Sequence, residues 1–297
     1  MGVASMVKER MVRTTTGLFA HAPNPLEHTL DYMGDPGLFG PNSVTWRVIG
    51  DVATFIGGIR ALLVQAAHQE VAAGVADHSR YRDDPLGRLS RTSAYVTATA
   101  FGAMPEVDQA VRIVRRAHRP VRGESHRLRS YSADDPGHAA WVHNVLTDSF
   151  LVAHQRFGKD KLNQRNADRF VAEQVAVGRL LDAHPLPRTA DVLSDWVNKH
   201  PDIGVSPGMV NAVDFLRRPP LPLAVRAAYR VLYWAAVATI PVSIRTVIGV
   251  KRLPGAIVLG KITIVMLRWV LGSSPSWALA LRRVDAELPE GHRFREQ

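Results

Sequence analysis

Apolar positions recur at helical spacing through almost the whole chain. Period-3.6 segments run over Val44–Ile56, Ile59–Ala76, Pro85–Phe101, Pro105–Arg119, Pro136–Phe157, Asn163–Leu181, Ala190–Lys199, Pro207–Leu216 and Leu223–Gly249. A last segment runs from Gly255 to about Arg283, with a break expected at Gly272-Ser273-Ser274-Pro275. Asp84-Pro85, Met104-Pro105 and Asp135-Pro136 place proline at a first helical position, where its missing N–H costs nothing. No run of alternating β-branched residues demands a sheet. The pattern predicts an all-α fold.

At 297 residues the chain is long enough for one large domain. The nearest thing to a boundary is Arg217-Arg218-Pro219-Pro220-Leu221-Pro222, read as a rigid corner within that domain. The expected organisation is an N-terminal extension over 1–43, a main helical part over 44–218, and a basic, apolar helical part over 219–297 packed on it.

Cysteine is absent, which excludes disulfides, Cys-ligated zinc, iron–sulfur clusters and thiolate-ligated haem. Any metal would use other ligands, and the 12 histidines make that worth testing. Gly-x-Gly-x-x-Gly, Walker and Gly-x-Ser-x-Gly patterns are also absent, so nucleotide and serine-hydrolase chemistry have no support. Residues Met1 to Arg13 carry no apolar h-region, which makes the cytoplasm the expected compartment.

The net charge of +10 is unevenly spread. From Arg217 to Val284 there is no Asp or Glu, while Arg217, Arg218, Arg226, Arg230, Arg245, Lys251, Arg252, Lys261, Arg268, Arg282 and Arg283 fall inside it. A basic, apolar, acid-free stretch favours an anionic membrane surface. Its aromatics sit in apolar runs and do not alternate with charge, so nucleic acid is not expected. Val231–Ile244 and Ala256–Leu271 are too short or too charged to span a bilayer, and read as buried or interfacial helices.

Three groups of residues could carry chemistry. Arg88, Arg91, Thr92 and Tyr95 share one helix face, which is either a solvated surface or a cluster of donors. His118 ends the apolar stripe Val107, Val111, Val114, as a core histidine or as an iron ligand with Arg115 and Arg119 close enough to hold haem propionates. His68, His78 and His143 could form a non-haem metal site, although no Glu-x-x-His or His-Glu-x-x-His spacing is present.

Read in order, several blocks resemble one family. They are Gly57-Gly58-Ile59-Arg60-Ala61-Leu62 through His68, Ala76-Asp77-His78-Ser79, Asp84-Pro85-Leu86-Gly87-Arg88-Leu89-Ser90-Arg91-Thr92, and His118-Arg119-Pro120-Val121-Arg122-Gly123. Tyr131-Ser132-Ala133-Asp134-Asp135-Pro136 and Trp141-Val142-His143 complete the series. Together, over roughly Val44 to Leu216, they resemble the MpaB-type or rubber-oxygenase catalytic domain.

That resemblance implies a globin-like helical core, with additional C-terminal helices here, and one haem b. It implies dioxygen chemistry on a lipophilic, unsaturated substrate. His118 matches the family's proximal iron ligand, with Arg115, Arg119 and His143 as further cofactor contacts. Arg88, Arg91 and Thr92 match a distal Arg-x-x-Lys-Thr arrangement and would be catalytic. Arg91 stands where that pattern has lysine, and a guanidinium offers iron no lone pair. The rivals are a haem-binding or membrane-surface module without turnover, and a non-haem iron enzyme.

Overall fold

Side-chain caps start many of the helices. Ser43, Asp84, Asp135, Asn163 and Ser206 each accept a backbone N–H from the first turn that follows, and proline comes next at residues 85, 136 and 207. The computed structural model describes residues 20–287, together with residues 9, 12, 17 and 292.

Thirteen α-helices account for most of the described chain. They are α1 (Val44–Ile49), α2 (Thr54–Gln65), α3 (Gln69–His78), α4 (Pro85–Phe101), α5 (Met104–His118), α6 (Pro136–Phe157), α7 (Gln164–Arg179), α8 (Ala190–Asn198), α9 (Pro207–Arg217), α10 (Leu223–Thr239), α11 (Val242–Val247), α12 (Ala256–Leu271) and α13 (Pro275–Arg283). The fold is all-α, as the periodicity predicts.

Three long periodic segments are cut where the period gives no warning. Val44–Ile56 breaks at Asp51, whose carboxylate accepts the Ala53 N–H at 2.7 Å and turns the chain between α1 and α2. Ile59–Ala76 breaks before His68, which is extended and caps α3 with its own ring nitrogen. Leu223–Gly249 breaks at Ile240, where Pro241 cannot donate to the helix. The expected break after α12 falls at Gly272, whose φ of 72° suits glycine.

A short hairpin, β1 (Arg122–Glu124) antiparallel to β2 (Ser130–Ser132), lies against α3 and was not signalled by the pattern. Its register pairs Gly123 with Tyr131, and a Cβ at residue 123 would meet the Tyr131 hydroxyl at 2.5 Å.

The centre is the pair α2 and α6, which share the most extensive contact in the molecule. Gly57 lets them approach, because a Cβ there would stand 2.7 Å from the Phe150 ring. Between them Arg60 Nη1 meets Asp148 at 2.7 Å and donates to Ser149 Oγ, also at 2.7 Å, with all three residues buried. Val64, Trp141, Phe170, Tyr233 and Ile244 belong to one apolar cluster, so α10 and α11 close the same core as α2, α6 and α7. A second cluster joins Trp46, Phe101 and Trp277, and a third joins Ile56, Phe157 and Ile264.

Candidate functional site

Helices α4 and α5 are joined by only Gly102 and Ala103 and pack on each other. Arg88 and His118 are each about 20 Å along their helix from that turn, at 1.5 Å per residue. The Tyr95 phenol and the Arg115 guanidinium, on opposite helices, are near enough to affect one another's ionisation.

The face of α4 divides its candidates. Arg88 donates to Ser79 Oγ at 2.9 Å and lies over the Tyr81 ring, 5.8 Å from its centroid. Burial lowers its pKa, with Tyr81 acting the other way. Arg91 is exposed and pairs with Asp84 at 3.1 Å, the residue that caps its own helix. Thr92 is exposed. One turn further, Tyr95 buries a hydroxyl without a partner among the described residues, and burial pushes that phenol well above its usual range.

On α5 the stripe opens towards its end. Val107 is fully buried, while Val111, Val114 and His118 are half-buried. Burial lowers the His118 pKa, and Asp134 raises it. A neutral imidazole at neutral pH keeps one nitrogen lone pair. Arg115 is spent on a tie to the end of α7, reaching Asp182 at 2.8 Å and the Leu180 carbonyl at 2.8 Å. Arg112, Arg116 and Arg119 are exposed and make no ion pair among the described residues.

His143 on α6 faces a different space. With Tyr95, Val96, Thr99, Phe150 and Gln174 it lines a cavity of about 30 Å³, roughly one water in volume. Burial takes its pKa down to about 4, against a hydrogen bond to the Gln174 backbone. The cavity is far too small for a porphyrin. Any fit to haem rests on the half-open α5 stripe, where a burial-depressed imidazole follows two half-buried valines, while the exposed Arg112, Arg116 and Arg119 lie on other sides of the helix.

The trio His68, His78 and His143 is not assembled. His78 faces the Arg122 carbonyl at 3.1 Å, and His143 lines the cavity. Instead His68 meets His200 and Asp202, with potential ligand atoms within 4.8 Å of one another. The loop that carries the last two is brought in by backbone bonds, Gln69 N–H to the Asp202 carbonyl at 3.2 Å and Gly204 N–H to the Ala67 carbonyl at 2.9 Å. Only the tertiary fold creates this proximity, and His200-Pro201-Asp202 carries no recognisable metal spacing.

The protons of this cluster argue for a structural network. His68 Nδ1 accepts the Val71 N–H at 3.4 Å, and His200 Nδ1 accepts the Asp202 N–H at 3.3 Å. Each neutral ring then carries its proton on Nε2, where a metal would need a lone pair. Arg127 and Arg129 both donate to Asp202 Oδ1 at 2.9 Å, and positive charge there opposes a cation. Burial first, then His200 and His138, hold the His68 pKa down to about 4.

Residues 46–269 match the family model described as "ER-bound oxygenase mpaB/B'/Rubber oxygenase, catalytic domain". Comparisons with curated proteins and with solved structures gave no match.

Proposed function

The chain belongs to the ER-bound oxygenase mpaB/B'/rubber oxygenase catalytic-domain family, and from that premise we propose that it is a haem b-dependent oxygenase with His118 as the iron ligand. The family is one of oxygenases, so an oxidoreductase that uses dioxygen and an organic substrate is the coarse statement. One observation carries the finer one. His118 is a burial-depressed imidazole at the half-open end of an apolar stripe, on a helix that packs against α4, the helix that carries Arg88 and Thr92.

Bound there, haem would supply the redox chemistry with dioxygen. His118 would offer the lone pair, and the unpaired Arg119 would face a propionate better than Arg115, which already holds Asp182. Arg88, which donates to Ser79 Oγ over the Tyr81 ring, and the exposed Thr92 would be the hydrogen-bond donors to dioxygen or substrate. Arg91, paired with Asp84, would hold the start of α4 rather than bind iron. The half-buried Val111 and Val114 suit a lipophilic substrate, and an anionic membrane surface would be its source.

The test is spectroscopic first. Protein purified with adequate haem should show a Soret band, and His118→Ala should lose it. Arg88→Ala and Thr92→Ala should keep the band and slow oxygen-dependent turnover about a hundred- to a thousandfold, as removal of a preorganised donor does. An unchanged spectrum in His118→Ala removes that residue from the role. A non-haem reading predicts metal without a Soret band, lost in His68→Ala or His200→Ala.

A further inference from the structure

Helix α12 turns an apolar face outward. Val258 is 60 % exposed, Ile262 53 %, Val265 61 % and Trp269 63 %, at i, i+4, i+7 and i+11, and Leu259 and Met266 widen the strip on one side. Its inner face, Ala256, Gly260, Ile264 and Val270, is buried. Gly260 sits against Phe157 and Ala235, so packing on α6 and α10 fixes which side faces out. Water-facing helices are normally polar on that side, and a strip of this kind marks an interaction surface.

The charges on this segment of the chain are of one sign. Lys261 flanks the strip, and Lys251, Arg252 and the half-exposed Leu253 lie just before the helix. No acid occurs between Arg217 and Val284. We propose that this face docks in the plane of an anionic lipid bilayer, with Val258, Ile262, Val265 and Trp269 in the acyl boundary and Lys251, Arg252 and Lys261 on lipid phosphates. A second copy of the chain is a poor occupant, because it would bring Lys251, Arg252 and Lys261 against the same cations.

Crossing the bilayer is not the alternative. At 16 residues the helix spans only about 24 Å, short of the roughly 30 Å hydrocarbon core. No single described helix is long and apolar enough to cross a membrane; α12 and α13 together reach that length and composition across a 52° bend, but α13 is committed to the protein core. There Trp277 and Leu281 are buried, and Arg283 bonds three groups. The inference deepens the membrane part of the proposed function. It does not depend on haem, because the Soret band reports that part separately.

Sedimentation with vesicles tests it, using phosphatidylcholine alone and phosphatidylcholine mixed with phosphatidylglycerol. The parent should bind the mixed vesicles, release them at high salt, and shift Trp emission to the blue, a shift lost in Trp269→Phe. Ile262→Asp with Val265→Asp should weaken binding about tenfold or more, while Val192→Asp with Val210→Asp, equally exposed elsewhere, should not. Lys251→Gln and Lys261→Gln should each cost about fivefold at low salt. Equal sedimentation with neutral and mixed vesicles overturns the proposal, as does full binding by a folded Ile262→Asp/Val265→Asp protein. A parent dimer in light scattering that this variant converts to monomer assigns the face to a second copy and also overturns it.

Discussion

Removing the Asp148 carboxylate should damage the protein far more than removing the whole ion pair it belongs to. Arg60 and Asp148 meet at 2.7 Å with side-chain exposures of 2 % and 5 %. In an effective dielectric of ~20 the attraction at that distance is about 6 kcal/mol, and several kcal/mol of desolvation per ion offset it. The intact pair thus contributes little net. Asp148→Ala leaves a guanidinium buried with Ser149 as its remaining side-chain partner, and Arg60 Nε already has none. The cost should be about 3–5 kcal/mol. With an m-value near 3 kcal/mol/M, the urea midpoint should fall by about 1–1.7 M. Arg60→Met with Asp148→Val changes the total volume little and removes both charges, so it should stay within about 1–2 kcal/mol of the parent or exceed it. Circular dichroism against urea reads both. If the double variant is as weak as Asp148→Ala, charge is not the reason and the desolvation argument is wrong.

Acid should weaken the fold through two neutral imidazoles. His68 and His143 stay near pKa 4 when folded, against 6.5 in the open chain, so the unfolded state takes up protons first. Stability is complete above about pH 6.5 and falls towards pH 4 by about 3 kcal/mol for each residue; His68→Asn should flatten that slope in urea melts. In the middle of α2, Gly57→Ala should destabilise by about 1–3 kcal/mol because its Cβ meets Phe150 and the Ser149 carbonyl. Gly58→Ala, with open space around it, should stabilise by up to about 1 kcal/mol, a contrast that thermal melts resolve. Arg283→Met should cost about 3–5 kcal/mol, since it strands the Asp35 and Phe101 carbonyls and Thr29, and the loss should show as a lower urea midpoint.

The helices whose starts carry Asp-Pro were legible because cap and proline act within one turn. The breaks at Asp51 and His68 were not, since each is a side chain bonding its own local backbone inside an apolar run. The stripe ending at His118 was visible as a period, but its half-open state depends on how far α4 covers it. The pairing of His68 with His200 and Asp202 needs a loop 130 residues away to dock on α3, which no local pattern encodes. The basic, acid-free C-terminal part was read from composition, whereas the outward face of α12 depended on where Gly260 packs.

Asp51 has one more consequence, for the order in which the chain closes. Its carboxylate takes the N–H groups of Ala53 and Lys159, and both its oxygens accept Arg268 Nη2, at 2.9 and 3.0 Å, a partner 217 residues away. On a ribosome adding ~5–20 residues per second, Arg268 is made roughly 10–40 s after Asp51. During that interval the corner between α1 and α2 and the end of α6 can assemble without their final cation. Helix α12 is then the late latch, pinned through Arg268 to Asp51 and to the Phe157 carbonyl at 3.1 Å. Until it seats, both its inner and outer apolar sides are open to whatever the nascent chain meets first.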